Sequence, residues 1–391
     1  MKLDRATFRR LTGVFALASL CFALPVHAAP GQPAASPVLS RLPAKVLKRT
    51  VFLGDSITDG NTYPMLVRDA LGQAGVKIKA INAGVGGNTA AMMLERLDGD
   101  VFSEHPTLVT LFTSANDVGH VGAPEYEKTV RAIIERVQAQ KIPLILLTPE
   151  YASPSWGMGV ATAFAQYDEV LHRLAQEYGL RVAEVGARMK DDSDAGHNQF
   201  APDGHPNYTG QRSIARAVLD AMGYADAPVP ARVKNVLLPG VIPTWKMRAV
   251  APKEAPLTEA TVATLVPDAK WVTKTLPEAD PLTGDENLWL DDCRPQGTAI
   301  WVKRDVGGET GRYLGVATLK ARTAKKMYFN IGAEIGTIWL NGKKLLVPSG
   351  LRGWHLGRES AIGELQKGDN TIVIETGENF FLSVTEKPFW D

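Results

Sequence analysis

From Thr50 onward the chain alternates short apolar runs with segments whose apolar residues recur at helical spacing. Val51 to Leu53 is a continuous apolar run, the pattern of a strand buried on both faces. Tyr63, Leu66, Val67, Ala70 and Leu71 then follow at i, i+3, i+4, i+7 and i+8, one face of a helix. Ile78–Ile81, Leu108–Phe112, Leu144–Leu147 and Leu180–Val185 predict four more strands. Between them, Tyr126 to Val137 and Phe164 to Tyr178 keep the helical period, and Ile214, Val218 and Met222 mark a last helix stopped by Gly223. Strands separated by helices of this length predict a parallel sheet with helices on both faces.

The texture changes after Tyr224. Prolines recur through Pro281, and short strand-like runs without helical period follow at Tyr313–Leu319, Met327–Ile331, Thr337–Leu340, Asn370–Glu375 and Phe380–Val384. Turn pairs such as Asn341-Gly342 and Gly368-Asp369 punctuate them. This predicts a β-sandwich over the last 110–150 residues.

The first residues read as a segment outside the fold. Lys2, Arg5, Arg9 and Arg10 form a basic start, Leu11 to Leu24 is apolar, and Val26-His27-Ala28 offers small residues around a cleavage site. The expectation is a secretory signal peptide over 1–28 and a Pro/Ala/Ser-rich linker over 29–48. An α/β domain over 49–224 and a Pro-rich connection with a β-domain over 225–391 complete the division. Export places the protein in the periplasm or outside the cell, with no integral membrane segment once residues 1–28 are removed. Cys293 is then the one remaining cysteine, too few for an internal disulfide or a thiolate metal site. The net charge is +1 over 391 residues. Cleavage takes away four basic side chains and one acid and leaves about −2, so no electrostatic case for nucleic acid exists. A hydrophobic content of 45% with 22% charged residues is enough for real cores.

Four short segments carry candidate chemistry. Gly54-Asp55-Ser56-Ile57-Thr58 follows the first strand, where open α/β sheets place ligands. Its serine is exposed by the turn, although serine is also a common helix N-cap. Asn82 to Thr89 holds three glycines, which let backbone N–H groups approach a ligand, and it lacks the G-x-G-x-x-G and P-loop spacings. Ser114-Ala115-Asn116-Asp117 follows the third strand and offers an amide donor. Pro202-Asp203-Gly204-His205-Pro206-Asn207 offers an imidazole base with a nearby carboxylate. The remaining histidines lack such a setting.

In this order the four segments resemble the blocks of the SGNH (GDSL-type) hydrolase superfamily, over roughly residues 49–224. The resemblance implies a flavodoxin-like three-layer α/β/α sandwich. It makes Ser56 the nucleophile, His205 the general base, and the Ser56 N–H, the Gly87 N–H and the Asn116 side chain the oxyanion donors. Two positions depart from the usual blocks. Ser114 stands where the third block has glycine, and the fifth block has Pro202 at the usual aspartate position with Asp203 one residue nearer His205. Asp203 is the candidate third member; Asp194 or a backbone carbonyl are the alternatives.

Such a site hydrolyses an ester through an acyl-enzyme without metal or other cofactor. Fold and triad do not choose the substrate. Export and the C-terminal segments Thr337–Lys344 and Leu365–Ile374, which resemble jelly-roll, galactose-binding-like domains, point to an acylated carbohydrate as partner and to O-acetyl groups as the leading target. Trp156, after the fourth strand, is a candidate substrate contact or a residue packed within its own loop. Trp339 and Trp354 read as β-domain core. A broad lipase-like or aryl esterase, an O-acetyltransferase and a carbohydrate-binding protein with an inactive hydrolase domain are the other readings, and no residue pattern specifies an oligomeric state.

Overall fold

The computed structural model describes residues 39–152, 156–202, 204–233, 237, 239–276, 300–345 and 359–387. The signal-peptide expectation, Asp203, Cys293 and Trp354 lie outside them. No helix among the described residues is long and apolar enough to cross a membrane.

Five parallel strands form the first sheet: β1 (Arg49–Gly54), β2 (Lys79–Gly84), β3 (Leu108–Phe112), β4 (Leu144–Leu147) and β5 (Arg181–Ala183), in the order β2-β1-β3-β4-β5. This is the flavodoxin-like order. Alternate residues of each strand feed opposite cores. Phe52, Leu108, Phe112, Ile145 and Leu147 pack with α3 (Thr62–Gln73), α8 (Val185–Asp194) and α9 (Tyr208–Met222). Val51, Leu53, Val109, Leu111, Leu144 and Leu146 pack with α4 (Ala90–Glu95), α5 (Leu97–Asp100), α6 (Ala123–Ala139) and α7 (Met158–Tyr178). Both faces are covered, so the strands read as unbroken apolar runs. The remaining helices in this part are short: α1 (Ala44–Leu47), inside the expected linker, and α2 (Ser56–Asp59).

The helix ends have local causes. The Asn207 side chain accepts the Gly210 N–H at 3.0 Å and starts α9, and Gly223 ends it in the left-handed region at φ +82°. In α6, Tyr126, Val130, Ile133, Ile134 and Val137 are all buried, as their spacing predicts.

The C-terminal part is antiparallel and centres on two long strands. Its strands are β6 (Thr244–Ala249), β7 (Val272–Thr275), β8 (Ile300–Trp301), β9 (Tyr313–Ala321), β10 (Lys325–Leu340), β11 (Lys343–Leu345), β12 (Glu359–Leu365) and β13 (Gly368–Thr385). Met327–Ile331 and Thr337–Leu340, expected as separate strands, are the two ends of β10; Asn370–Glu375 and Phe380–Val384 are the two ends of β13. Register shifts between Ala333 and Thr337 join the halves. Before the shifts β10 lies between β12 and β13; after them it lies between β13 and β11. The eight strands form one hydrogen-bonded sheet, in the order β11-β10-β13-β9-β6-β7 with β12 on β10 and β8 on β13, and irregularities of this kind bend a long strand within it. Residues from both halves, including Phe329, Ile331, Ile338, Ile372, Phe380 and Leu382, share one core with Trp245 and Met247. Trp339 is buried in a smaller adjoining cluster. β6 and β7 lie in the segment read as Pro-rich connection.

The two C-terminal sequence motifs have a structural cause. Asn341 and Gly342, at φ +51° and +83°, make the tight turn from β10 to β11. Buried Asn370 accepts the Gln366 N–H at 2.8 Å and the Asn341 amide at 2.8 Å, and so locks the β12–β13 turn onto the β10–β11 turn.

The geometry of the first sheet's rim rests on a close backbone crossing. A Cβ on Gly84, at the end of β2, would come within 2.1 Å of the Asp59 backbone nitrogen and 2.6 Å of its Cα. These are backbone atoms of α2, so no side-chain rotation relieves the clash. Gly84→Ala is expected to cost about 2 kcal/mol or more and to lower the melting temperature by several degrees. A melting curve within about a degree of wild type would show that α2 has room to shift.

Candidate active site

Four loops at the carboxyl ends of β1, β2, β3 and the segment before α9 build one cluster. β1 ends at Gly54, and Asp55 turns the chain into α2. The buried Asp55 carboxylate accepts the Ile57 N–H at 3.0 Å, which caps α2 and presents Ser56 as its first residue. Burial pushes the Asp55 carboxyl up to about 7; the Ile57 N–H works against that shift and the charge of Asp117 adds to it.

Ser56 Oγ lies 3.1 Å from His205 Nε2, a contact between residues 149 apart in sequence. The His205 loop is a tight structure of its own. The Ala201 N–H donates to the His205 carbonyl at 2.9 Å, the Asn207 N–H donates to the Gln199 carbonyl at 3.0 Å, and Phe200 and Pro206 form a bridge. Gly204 adopts φ +92°, and its missing side chain leaves room for Trp156. A Cβ there would meet the Trp156 indole nitrogen at 2.0 Å. Trp156 also stands edge-on to Phe164 with centroids 6.0 Å apart and tilted against Phe200 at 6.1 Å. Half-buried, it packs against the loop that carries His205 as well as against α7.

The second loop reaches the same place. A Cβ on Gly86 would sit 3.9 Å from the Ser56 Cβ, and the Gly86 N–H donates to Asp59 at 3.2 Å. Gly87 is exposed at φ +76°. The Asn116 amide donates to the Asn88 carbonyl at 3.1 Å and lies 3.4 Å from the Asp55 carboxylate. Asp117 accepts the Ala90 N–H at 3.1 Å and the Thr113 hydroxyl at 3.0 Å, so the third loop is fastened to the start of α4. The structure therefore brings Ser56, His205, Asn116 and the Gly86–Gly87 turn together. Asp194, the alternative acid, does not join them: it is exposed on α8 and pairs with Lys190.

Two residues of consequence, Arg96 and Glu150, carry no signal of their own in the sequence. Arg96 donates to the carbonyls of Gly54 and Ala83 and to the Asn88 side chain. Glu150, just after β4, is 2% exposed, and neither carboxylate oxygen meets a hydrogen-bond partner among the described residues. Burial, reinforced by the Asp55 charge, pushes it up to about 8. Ser114 is buried at φ +135°, and its hydroxyl has no partner among the described residues. The backbone there keeps the conformation that glycine favours, which explains why the usual block has glycine.

A cavity of about 570 Å³ opens beyond Trp156's partner Phe164, lined also by Tyr151, Asp168, Glu184 and Lys190. Among the described residues, Asp168, His172 and Glu184 bring ligand-type atoms within 4.8 Å of one another. His172 Nε2 stands 3.3 Å from Glu184 and 3.6 Å from Asp168, and these half-exposed ion pairs account for the grouping.

Two outcomes follow for stability. Ser114→Gly is expected to raise the urea midpoint, worth about 1 kcal/mol, by removing backbone strain and a buried orphan hydroxyl; an unchanged or lower midpoint would show the position to be unstrained. Glu150 ionises near 4.5 when unfolded and near 8 when folded, so between those values the native state binds the extra proton. Its contribution to stability is present at low pH and is lost as pH rises through that window. Glu150→Gln is expected to flatten the fall of melting temperature between about pH 5 and 8 seen by calorimetry; parallel curves would show that Glu150 titrates normally.

The GDSL-like Lipase/Acylhydrolase family matches residues 52–213. An acetylxylan esterase from Geobacillus stearothermophilus is 25% identical over 209 residues, covering 45% of this chain and 94% of that protein. Among solved structures, an acetyl xylan esterase from the same organism is 26% identical over 46% of this chain and 96% of its own, with a TM-score of 0.42. LAE5, an alpha/beta hydrolase enzyme from the metagenome of Lake Arreo in Spain, is 28% identical over 46% and 96%, also with a TM-score of 0.42. Residues 52–213 of this chain are similar to the GDSL-like lipase/acylhydrolase family, and the protein is a carboxylic ester hydrolase.

Proposed function

We propose that the protein is an exported serine esterase that removes O-acetyl groups from polysaccharide or oligosaccharide, with acetylated xylan as the first substrate to try. The observation that carries the reading is the 3.1 Å contact between Ser56 Oγ and His205 Nε2 at the rim of a parallel sheet. In the tautomer that holds its proton on Nδ1, His205 accepts the Ser56 hydroxyl proton as Oγ attacks the ester carbonyl. The oxyanion meets the Ser56 N–H, the Gly87 N–H and the Asn116 amide. The sugar hydroxyl leaves with the proton from His205, and water repeats the two steps on the acyl-enzyme. Asp203, two residues before His205, is the carboxylate proposed to stabilise the imidazolium.

The substrate class draws on the similarity to acetylxylan esterases, and on Tyr151, Phe164, Asp168 and Glu184 around the neighbouring cavity, which offer the apolar faces and acceptors a sugar needs. The basic start, apolar run and small-residue cleavage site of residues 1–28 support export.

Ser56→Ala and His205→Ala are each expected to abolish acetate release from acetylated xylan while the melting temperature changes little. Asn116→Ala is expected to lower kcat about 10²–10³-fold, and Asp203→Asn to slow turnover severely. Near-normal turnover in the last variant would move the carboxylate's role to another group. With p-nitrophenyl esters, activity is expected to fall from acetate to octanoate. A rise toward octanoate with no acetate released from polysaccharide would overturn the substrate assignment.

A further inference from the structure

We propose that Arg96 is the positioning residue of the oxyanion hole: one guanidinium holds the turn before Ser56 and the Gly87–Asn88 loop in register. The inference rests on the roles proposed above for Ser56, Gly87 and Asn116. The Arg96 side chain is only 15% exposed and its donors are distributed over four acceptors. Nη2 donates to the Gly54 carbonyl at 2.9 Å, and Nη1 to the Ala83 carbonyl at 2.7 Å and to Asp100 at 2.8 Å. Nε donates to Asn88 Oδ1 at 2.7 Å.

The connectivity matters more than the number of bonds. The Gly54 carbonyl belongs to the peptide just before the one that supplies the Ser56 N–H. Asn88 directly follows Gly87, and its own carbonyl receives the Asn116 amide at 3.1 Å. All three proposed donors are thus referred to one planar group within one or two covalent or hydrogen-bonded steps. Nothing in this arrangement touches the ester itself. Arg96 acts through the donors, so its effect falls on the transition state, where the oxyanion exists, and not on the bound ground state. Lysine keeps the charge but places a single ammonium where a rigid fork spans two strand ends and a side chain.

The test uses the full-length enzyme with p-nitrophenyl acetate. Arg96→Lys is expected to lower kcat at least tenfold with KM within about twofold of wild type, and to weaken inhibition by phenylboronic acid, a tetrahedral oxyanion mimic, in parallel. Arg96→Ala is expected to regain part of its kcat when methylguanidine is added, without a matching change in melting temperature. A folded Arg96→Lys enzyme with normal kcat, or one whose loss appears entirely as raised KM with boronate affinity intact, would overturn the proposal. Should Arg96→Ala fail to fold, the lysine variant and its boronate affinity still decide. Ser56→Ala and Asn116→Ala are assayed in parallel. Activity surviving Ser56→Ala would remove the functional reading itself; an inactive Ser56→Ala enzyme beside a wild-type-like Arg96→Lys enzyme removes only the role of Arg96.

Discussion

The crossing of the first turn of α2 over the end of β2 is the constraint from which the rest of the rim follows. The two backbones meet so closely that the side chain of residue 84 has no space to exist. The chain turns sharply there, and Ser56, as the first residue of α2, stays partly exposed while Ile57 and Thr58 behind it are buried. The same crossing places Asp59 beside the Gly86 N–H and the Asn82 amide on the Asp59 carbonyl at 2.9 Å. The second loop is therefore built against the first, and the third hangs from the second through Asn116 and Asp117. A serine near a histidine is common; what distinguishes this rim is that the loops share so few degrees of freedom.

Burial of acids beneath the rim is the other recurrent theme. Asp55 and Glu150 are both buried in the α/β part, burial raises the proton affinity of each, and the Asp55 charge raises that of Glu150 further. Asp55 has compensation in the Ile57 N–H, whereas the Glu150 carboxylate oxygens have no such partner among the described residues. Such a group is tolerated in a domain whose two faces together bury several dozen apolar side chains, and its cost is spread over that larger stabilisation.

Much of the architecture is legible in residue order because it depends on local periodicity. The five parallel strands and the faces of α3, α6, α7 and α9 are set by which positions must be apolar when both sides of a sheet are covered. The misses have equally physical causes. α8 reads as polar because most of its surface faces water, with Val185 and Met189 as its buried anchors. β6 and β7 sit among prolines that mask their alternation, although Trp245 and Met247 fill the core. The long strands β10 and β13 look like pairs of short ones because Gly332, Gly336 and Gly377 interrupt their apolar pattern at the bend. Within the site, the blocks themselves carried Ser56, Gly87, Asn116 and His205. Arg96 and Glu150 have meaning only through partners far away in sequence, so no local pattern announces them.

The seat of Trp156 against Gly204 joins two segments that the chain keeps about fifty residues apart. One flanks the imidazole; the other lies between the rim and the cavity beside α7. An indole wedged into the space of a missing methyl makes a mechanical linkage between them. Any change in the seat of the indole therefore bears on the packing of the loop that carries the imidazole.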